Sequence, residues 1–233
     1  MTAQTARVVA LARYPVKSMV GEQADRLDVD ARGVVGDRRW SVRTASGRIG
    51  SGKATRRFEA VPGLLDLRAE HRSGEVWVVF PDGSCCPAES TDAGGRLSDY
   101  LGRAVSLTAE AAVSHFDDGP VSLIGTASLR ALAADAGHDV DPRRFRPNLL
   151  VATDTPFVED GWVGHLLEVG SVRLRVTMTS PRCVMVDART AELPAEPGNL
   201  TAVGRVNRAC LGVIAAVERP GRIAVGDDVR LCR

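Results

Sequence analysis

The stretch Thr-Ser-Pro-Arg-Cys-Val-Met-Val-Asp, residues 179–187, sets one cysteine directly behind a proline and an arginine and ahead of an apolar, strand-like run. A thiolate at Cys183 is a soft donor suited to copper, zinc or a heavier thiophilic metal, and the adjacent Arg182 supplies a cation that favours thiolate over thiol. The five cysteines, at 85, 86, 183, 210 and 232, include no C-x-x-C pair, which argues against a zinc site or an iron–sulfur cluster built from this chain alone. The residues leave three uses open for Cys183. It packs on a strand, it ligates a metal whose other ligands come from a cofactor, or it acts as a nucleophile or sulfur carrier.

Three separated stretches join basic residues to small hydrogen-bonding ones. RYPVKS (13–18) closes a strand with Lys17 and Ser18, GDRRW (36–40) enters another with Asp37 and Arg38, and RRFRPNLL (143–150) carries Arg144, Arg146 and Asn148 ahead of an apolar strand. Pro147 biases Arg146 toward extended backbone, which would place Arg144 and Arg146 on one face. Taken singly, each reads as a charged strand end facing solvent. GRIGSGKA (47–54) matches the phosphate-cradling G-x-x-x-x-G-K, but Ala54 stands where magnesium needs a hydroxyl and Pro62 and Gly63 follow too soon for the required helix. A glycine-rich turn carrying Lys53, Arg56 and Arg57 remains, able to approach a smaller anion. Asp117 and Asp118, beside Gly119 and Pro120, read as a turn, with either carboxylate able to face a ligand. His71, His115, His138 and His165 form no metal-spaced set, and no G-x-S-x-G nucleophile elbow occurs.

The elements that must position these residues are mostly strands. Short Val- and Leu-rich runs such as RVVALARYP, RRWSVRT, GLLDLRA, EVWVVF, AVSLTA, NLLVAT, SVRLRVTM and LGVIAAVE alternate with Gly, Pro and Asp. That spacing predicts a mainly β (α+β) protein, built as a barrel or packed sheets with a few short helices, and not a doubly wound parallel sheet. Helices are expected over 96–102, stopped by Gly102, and over 125–137, capped by Thr126 and closed by Gly137. A soft boundary falls near 105–118. A net charge of +1 over 233 residues makes no electrostatic case for nucleic acid or membrane as a partner. No run reaches the roughly 18 apolar residues of a membrane span, and no secretory signal opens the chain, so a cytoplasmic location is expected.

In order, RYPVKS, GDRRW, RFRPNLLV, EDGWVGHLLEVG, TSPRCVMVD and PGRIAVGDDVRL resemble the MOSC family, the molybdenum cofactor sulfurase C-terminal domain type, with its N-terminal β-barrel companion. The resemblance runs from about residue 7 to 232 and implies an N-terminal β-barrel region at 1–110 and a MOSC domain at 111–233. It implies a site for the molybdenum cofactor (Mo-molybdopterin), with Cys183 as the metal ligand. Lys17, Ser18, Arg38, Arg146, Asn148 and Arg182 would then hold the pterin and its phosphate. Pyridoxal phosphate binding is a weaker association of the same family.

The activity implied is reduction of N-hydroxylated or related N–O and S–O substrates, small molecules fed with electrons by a separate reductase, since the chain ends at Arg233 without a ferredoxin-like module. The alternatives are a cofactor carrier or maturation protein, a persulfide sulfur carrier, and an inactive interaction module. Two departures stand out. Asp118 and Gly119 occupy positions where the amidoxime-reducing relatives carry Thr and Ser, and Pro181 replaces the serine before the Arg-Cys pair.

Overall fold

A computed structural model describes residues 5–232. Its largest sheet curls on itself. Strands Leu149–Ala152, Val121–Gly125, Cys210–Arg219, Val172–Pro181, Leu166–Val169, Asp228–Cys232 and Thr5–Arg13 follow one another by hydrogen bonding. The last pairs back to the first, closing a seven-stranded barrel with Glu22–Ala24 appended. Among the described residues closure leaves only that appended strand as an edge of this sheet, which is how a largely antiparallel sheet of this size avoids exposing unpaired backbone. The interior holds Val8, Leu11, Leu123, Leu149, Val151, Leu167, Leu174, Val176 and Val213, all essentially inaccessible to solvent. Along Val172–Pro181 buried and open positions alternate for six residues, as a strand with one face on the core requires. The expected mainly β barrel is what the chain forms.

The barrel is not assembled from the C-terminal part of the chain alone. Its first strand, Thr5–Arg13, sits between Leu149–Ala152 and Asp228–Cys232. Gly221–Ala224 in turn pairs with Arg26–Asp30. Between these shared strands, residues 40–109 form a four-stranded sheet (Val105–Ala109, Trp40–Thr44, Ile49–Ser51, Phe58–Ala60) and a three-stranded one (Arg68–Arg72, Glu75–Val79, Cys85–Pro87). They enclose a second core that includes Val42, Leu64, Leu67, Val78 and Leu97.

Helix Ala93–Leu101 begins three residues before the expected start and ends on Gly102 in the left-handed conformation. Helix Thr126–Ala136 ends in the same way on Gly137. Thr126 is not its cap. Gly125 holds that position, and the Thr126 hydroxyl instead accepts from the Thr153 backbone N–H. A third helix, Asn199–Asn207, escapes the sequence reading because Thr201, Val203 and Gly204 are weak helix formers, and its stability comes from burying Ala202 and Val203. The run GLLDLRA divides into a 3₁₀ turn at Leu64–Asp66 and a strand from Arg68. No helix among the described residues is long and apolar enough to cross a membrane.

Candidate functional site

Cys183 lies just past the end of the ten-residue strand Val172–Pro181. The expected strand after it is instead a 3₁₀ turn, Val184–Asp187, with Cys183 at its N-terminal cap position. Its side chain makes no capping bond, and among the described residues Cys183 Sγ has no hydrogen-bond partner. The thiol is half-buried and lines a cleft together with Lys17, Ser18, Arg38, Arg146 and Arg182. Five residues singled out for cofactor binding, spread over 166 positions of chain, therefore meet around the singled-out cysteine.

Asn148 is the exception. It is fully buried behind the cleft wall, where its Oδ1 accepts from the backbone N–H of Ser122 and its Nδ2 donates to the Ala12 carbonyl. It acts on the cleft through Ser122, which does line it. The extended geometry expected for Arg144 to Arg146 is also corrected. Pro142–Phe145 is a 3₁₀ turn capped by Asp141, and Arg146 is left-handed at φ 53°. The two arginines reach the cleft from a turn and not from one face of a strand.

Backbone conformation marks the same residues. Ser18 (φ 64°), Arg38 (φ 49°) and Arg146 (φ 53°) all occupy the left-handed region, which side chains with a Cβ rarely adopt. For Arg146 the following proline adds a further steric objection. Such strain persists only where surrounding bonds over-determine the backbone. Those bonds are present at Arg38. Its N–H donates to the Tyr14 carbonyl, its carbonyl accepts from His115 Nδ1, and its guanidinium is paired with the fully buried Asp37.

Besides Arg38, paired with Asp37, and Arg144, paired with Glu196, the cations of the cleft fall into two groups. Lys17 Nζ lies 2.7 Å from Asp117 Oδ2 and Lys53 Nζ lies 3.0 Å from Asp117 Oδ1, so one carboxylate bridges two lysines. Both ammonium groups also stand over the Phe58 ring. Burial pushes Lys17 down to about 8 even with Asp117 beside it. For Lys53 desolvation is outweighed by Asp117 and by Cys183, and its pKa is raised. Asp117 is depressed well below the usual carboxylate range, because the two lysines overcome its desolvation.

Arg146 and Arg182 differ. Neither has a carboxylate partner among the described residues. Arg182 spends its donors on the carbonyls of Leu211 and Phe145. Arg146 Nη1 donates to the Met19 carbonyl at 2.6 Å and its guanidinium lies over the Tyr14 ring, while its Nη2 is buried with no hydrogen-bond partner among the described residues. Desolvation brings each of the two down to about 10. The cleft thus holds uncompensated positive charge in a poorly solvated place, which is the electrostatic specification of an anion site.

Several lining residues were not named as cofactor contacts in the sequence, Lys53 being offered only on a turn able to approach a smaller anion. Lys53 belongs to the failed phosphate-loop motif, yet its side chain reaches the cleft. Ser122, Phe145, Ser180, Met185 and Ile214 also line it and were given no role, only Ile214 falling in an expected strand run, LGVIAAVE. Gly119 has a steric reason, since a Cβ there would stand 2.4 Å from Ile214 Cγ2. No group of three or more His, Cys, Asp or Glu suited to a metal occurs among the described residues.

The MOSC domain model matches residues 110–230, and the MOSC N-terminal beta barrel domain model matches residues 5–100. The chain belongs to the MOSC family. Over 137 residues, 53% of the chain and 40% of the relative, it is 30% identical to mitochondrial amidoxime reducing component 2 of Bos taurus. It is 27% identical to the human mitochondrial amidoxime-reducing component 1 over 51% of this chain and 39% of that one. Against the molybdenum cofactor sulfurase of Drosophila willistoni it is 23% identical, over 87% of this chain and 30% of the relative. The chain spans less than half the length of these curated relatives. In fold it is similar to the YUAD protein of Bacillus subtilis, with a TM-score of 0.57 and 17% identity, covering 99% of this chain and 97% of that one.

Proposed function

We propose that this MOSC protein is a molybdenum-cofactor oxidoreductase that reduces N-hydroxylated or related N–O and S–O compounds. The observation that carries the reading is the cleft itself. An unbonded thiol, Cys183, shares it with two arginines that lack carboxylate partners, one of which keeps a buried, unpartnered nitrogen in Arg146 Nη2. The residues fit a phosphate-bearing pterin with a metal that accepts thiolate. Cys183 is the metal ligand. Arg146, Arg182 and Arg38 hold the anionic tail, with Lys17 and Ser18 on the same wall and Asn148 supporting Ser122 from behind. Pyridoxal phosphate suits the donor set less well, because both cleft lysines are paired with Asp117.

When bound, the cofactor supplies a two-electron centre for reductive cleavage of an N–O bond. The overall reaction takes up two electrons, from a separate reductase, and two protons, and releases water. The protein supplies the setting. Phe145, Met185, Val186 and Ile214 give the cleft apolar wall that excludes water and strengthens the arginine–anion attraction. Asp37 fixes the direction of the Arg38 guanidinium, and the carbonyls of Leu211 and Phe145 fix Arg182. Each charged hydrogen bond to a phosphate contributes about 1.5–3 kcal/mol, so two or three suffice to retain a dissociable cofactor.

The test is elemental analysis and pterin fluorescence on protein expressed with molybdate, beside Cys183→Ser, followed by benzamidoxime turnover with a chemical electron donor. Molybdenum and pterin in the wild type, metal lost from the variant, and turnover are expected. Bound molybdenum without reduction of any of several N–O and S–O substrates would remove the oxidoreductase reading. A second reading, a cofactor carrier or persulfide sulfur carrier, is supported by the wider reach of the sulfurase match, 87% of the chain against 53%. Cofactor transfer to an apo-acceptor without turnover favours the carrier. Persulfide trapped on Cys183 after exposure to a cysteine desulfurase favours the sulfur carrier.

A further inference from the structure

The lysine side of the cleft is put together from three distant segments. Lys17 comes from the turn after the first barrel strand, Lys53 from the glycine-rich loop at 47–54, and Asp117 from the segment leading into strand Val121–Gly125. Lys17 is almost wholly buried at 2% exposure, whereas the Lys53 side chain is 22% exposed and that of Asp117 is 39% exposed. An ion pair that one partner reaches from the solvent side is the part of such a triad able to open. A carboxylate with one oxygen on each of two ammonium groups also presents them as a phosphate would, two oxygens toward two cations. The sequence match to a phosphate loop fails for want of a magnesium-holding hydroxyl, but its lysine still projects toward the cleft that holds the uncompensated arginines.

We infer that Lys53 is a second anion-binding arm of the Cys183 cleft, and that Asp117 is its resident counter-ion, displaced when an oxyanion ligand enters. The inference rests on the reading of the cleft as a site for a phosphate-bearing ligand, and it deepens that reading. It assigns Lys53 and Asp117 roles in ligand binding. It makes occupancy an exchange of one anion for another, in which the ligand gains two lysines and the segment around Asp117 loses its tether.

Inorganic pyrophosphate titrated by calorimetry into the full chain, produced in a host that makes no molybdenum cofactor, reads this directly. Asp117→Asn, which keeps the shape and removes the charge, is expected to bind about tenfold more tightly than the wild type, and the gain should vanish in Asp117→Asn/Lys53→Gln. Hydrogen exchange on the wild type, which needs no variant to fold, should show faster exchange at residues 114–119 when pyrophosphate is added. Slower or unchanged exchange there, or a gain in affinity that survives loss of Lys53, overturns the proposal. Binding that Arg146→Gln abolishes while Asp117→Asn and Lys53→Gln leave it untouched keeps the anion site and overturns the lysine arm alone. No pyrophosphate binding in any of these proteins overturns both.

Discussion

The two sides of one cleft solve the problem of buried positive charge in opposite ways. On the lysine side, Asp117 neutralises Lys17 and Lys53 from within the chain. On the arginine side, Arg182 rests on carbonyl dipoles and the Phe145 ring, and Arg146, over the Tyr14 ring, leaves a buried nitrogen with no hydrogen-bond partner among the described residues. A guanidinium tolerates this better than an ammonium does, because its charge is delocalised and it is more weakly hydrated. A compact ammonium as buried as Lys17 needs a counter-ion at hand. The difference separates residues that the fold has already satisfied from residues that only a ligand can satisfy.

That contrast is broken most severely by removing Asp117. Asp117→Ala leaves Lys17 buried beside Phe58 without its carboxylate; because Asp117 itself is 39% exposed, the cost should fall below the about 3–5 kcal/mol of breaking a fully buried pair. Urea denaturation should show that loss. Replacing both partners, as Lys17→Met/Asp117→Leu, should recover part of it, since the deeply buried Lys17 charge is gone and only the more exposed Lys53 is left without Asp117. An Asp117→Ala protein as stable as the wild type would mean that Lys17 does not depend on its partner.

Arg146 should behave in the reverse sense. Arg146→Met strands no carboxylate and removes an unsatisfied donor, so the stability change should stay within about 3 kcal/mol, the upper worth of its charged bond to the Met19 carbonyl, with methionine keeping apolar contact with the Tyr14 ring. Oxyanion or pterin retention, by contrast, should fall by roughly ten- to a hundredfold, the loss of one charged hydrogen bond. The same denaturation series and a titration with pyrophosphate check both halves. If Arg146→Met unfolds the protein and leaves anion binding intact, the two sides of the cleft have been assigned the wrong way round.

Much of this was legible in the sequence, for reasons that particular residues make clear. Strand runs were readable because alternation and Gly, Pro and Asp punctuation are local properties, and the helix ends at Gly102 and Gly137 followed from the same local chemistry. Lys17, Ser18, Arg38, Arg146, Arg182 and Cys183 could be named because an ordered set of short motifs carried them, although no single motif did. What could not be read is long-range. Asp117 meets Lys17 across 100 positions of chain, and nothing near either residue announces the pairing. Asn148 looked like Arg146 in the motif but lies one layer behind it, because Pro147 and the left-handed Arg146 turn the chain inward at that point. The left-handed backbone at Ser18, Arg38 and Arg146 has no sequence signature in non-glycine residues, and local preference at Arg146 pointed the other way.

The effect spread most thinly, per unit of pH, concerns the bonds that hold Arg38 in place, and it separates a satisfied residue from an unsatisfied one. His115 is fully buried. Its Nδ1 faces the Arg38 carbonyl and so must donate, which leaves Nε2 to accept from the Ser41 hydroxyl, a neutral tautomer with both nitrogens used. Burial drives its pKa from 6.5 down to about 4, against the opposing pull of Glu110. Between these two values the unfolded chain binds a proton at His115 that the folded chain does not, so stability falls as pH drops from about 6.5 toward 4. The slope from this group approaches about 1 kcal/mol per pH unit. His115→Gln, whose amide can still donate to the Arg38 carbonyl, should lose that slope. The stability difference between variant and wild type should therefore shrink steadily from pH 7 to pH 4.5. Carboxylates with depressed pKa values, such as Glu110 at about 2, act mainly below that window and are common to both proteins. Parallel stability curves would mean that His115 is solvated enough to titrate normally, and the left-handed corner at Arg38 would then rest on Asp37 and the Tyr14 carbonyl alone.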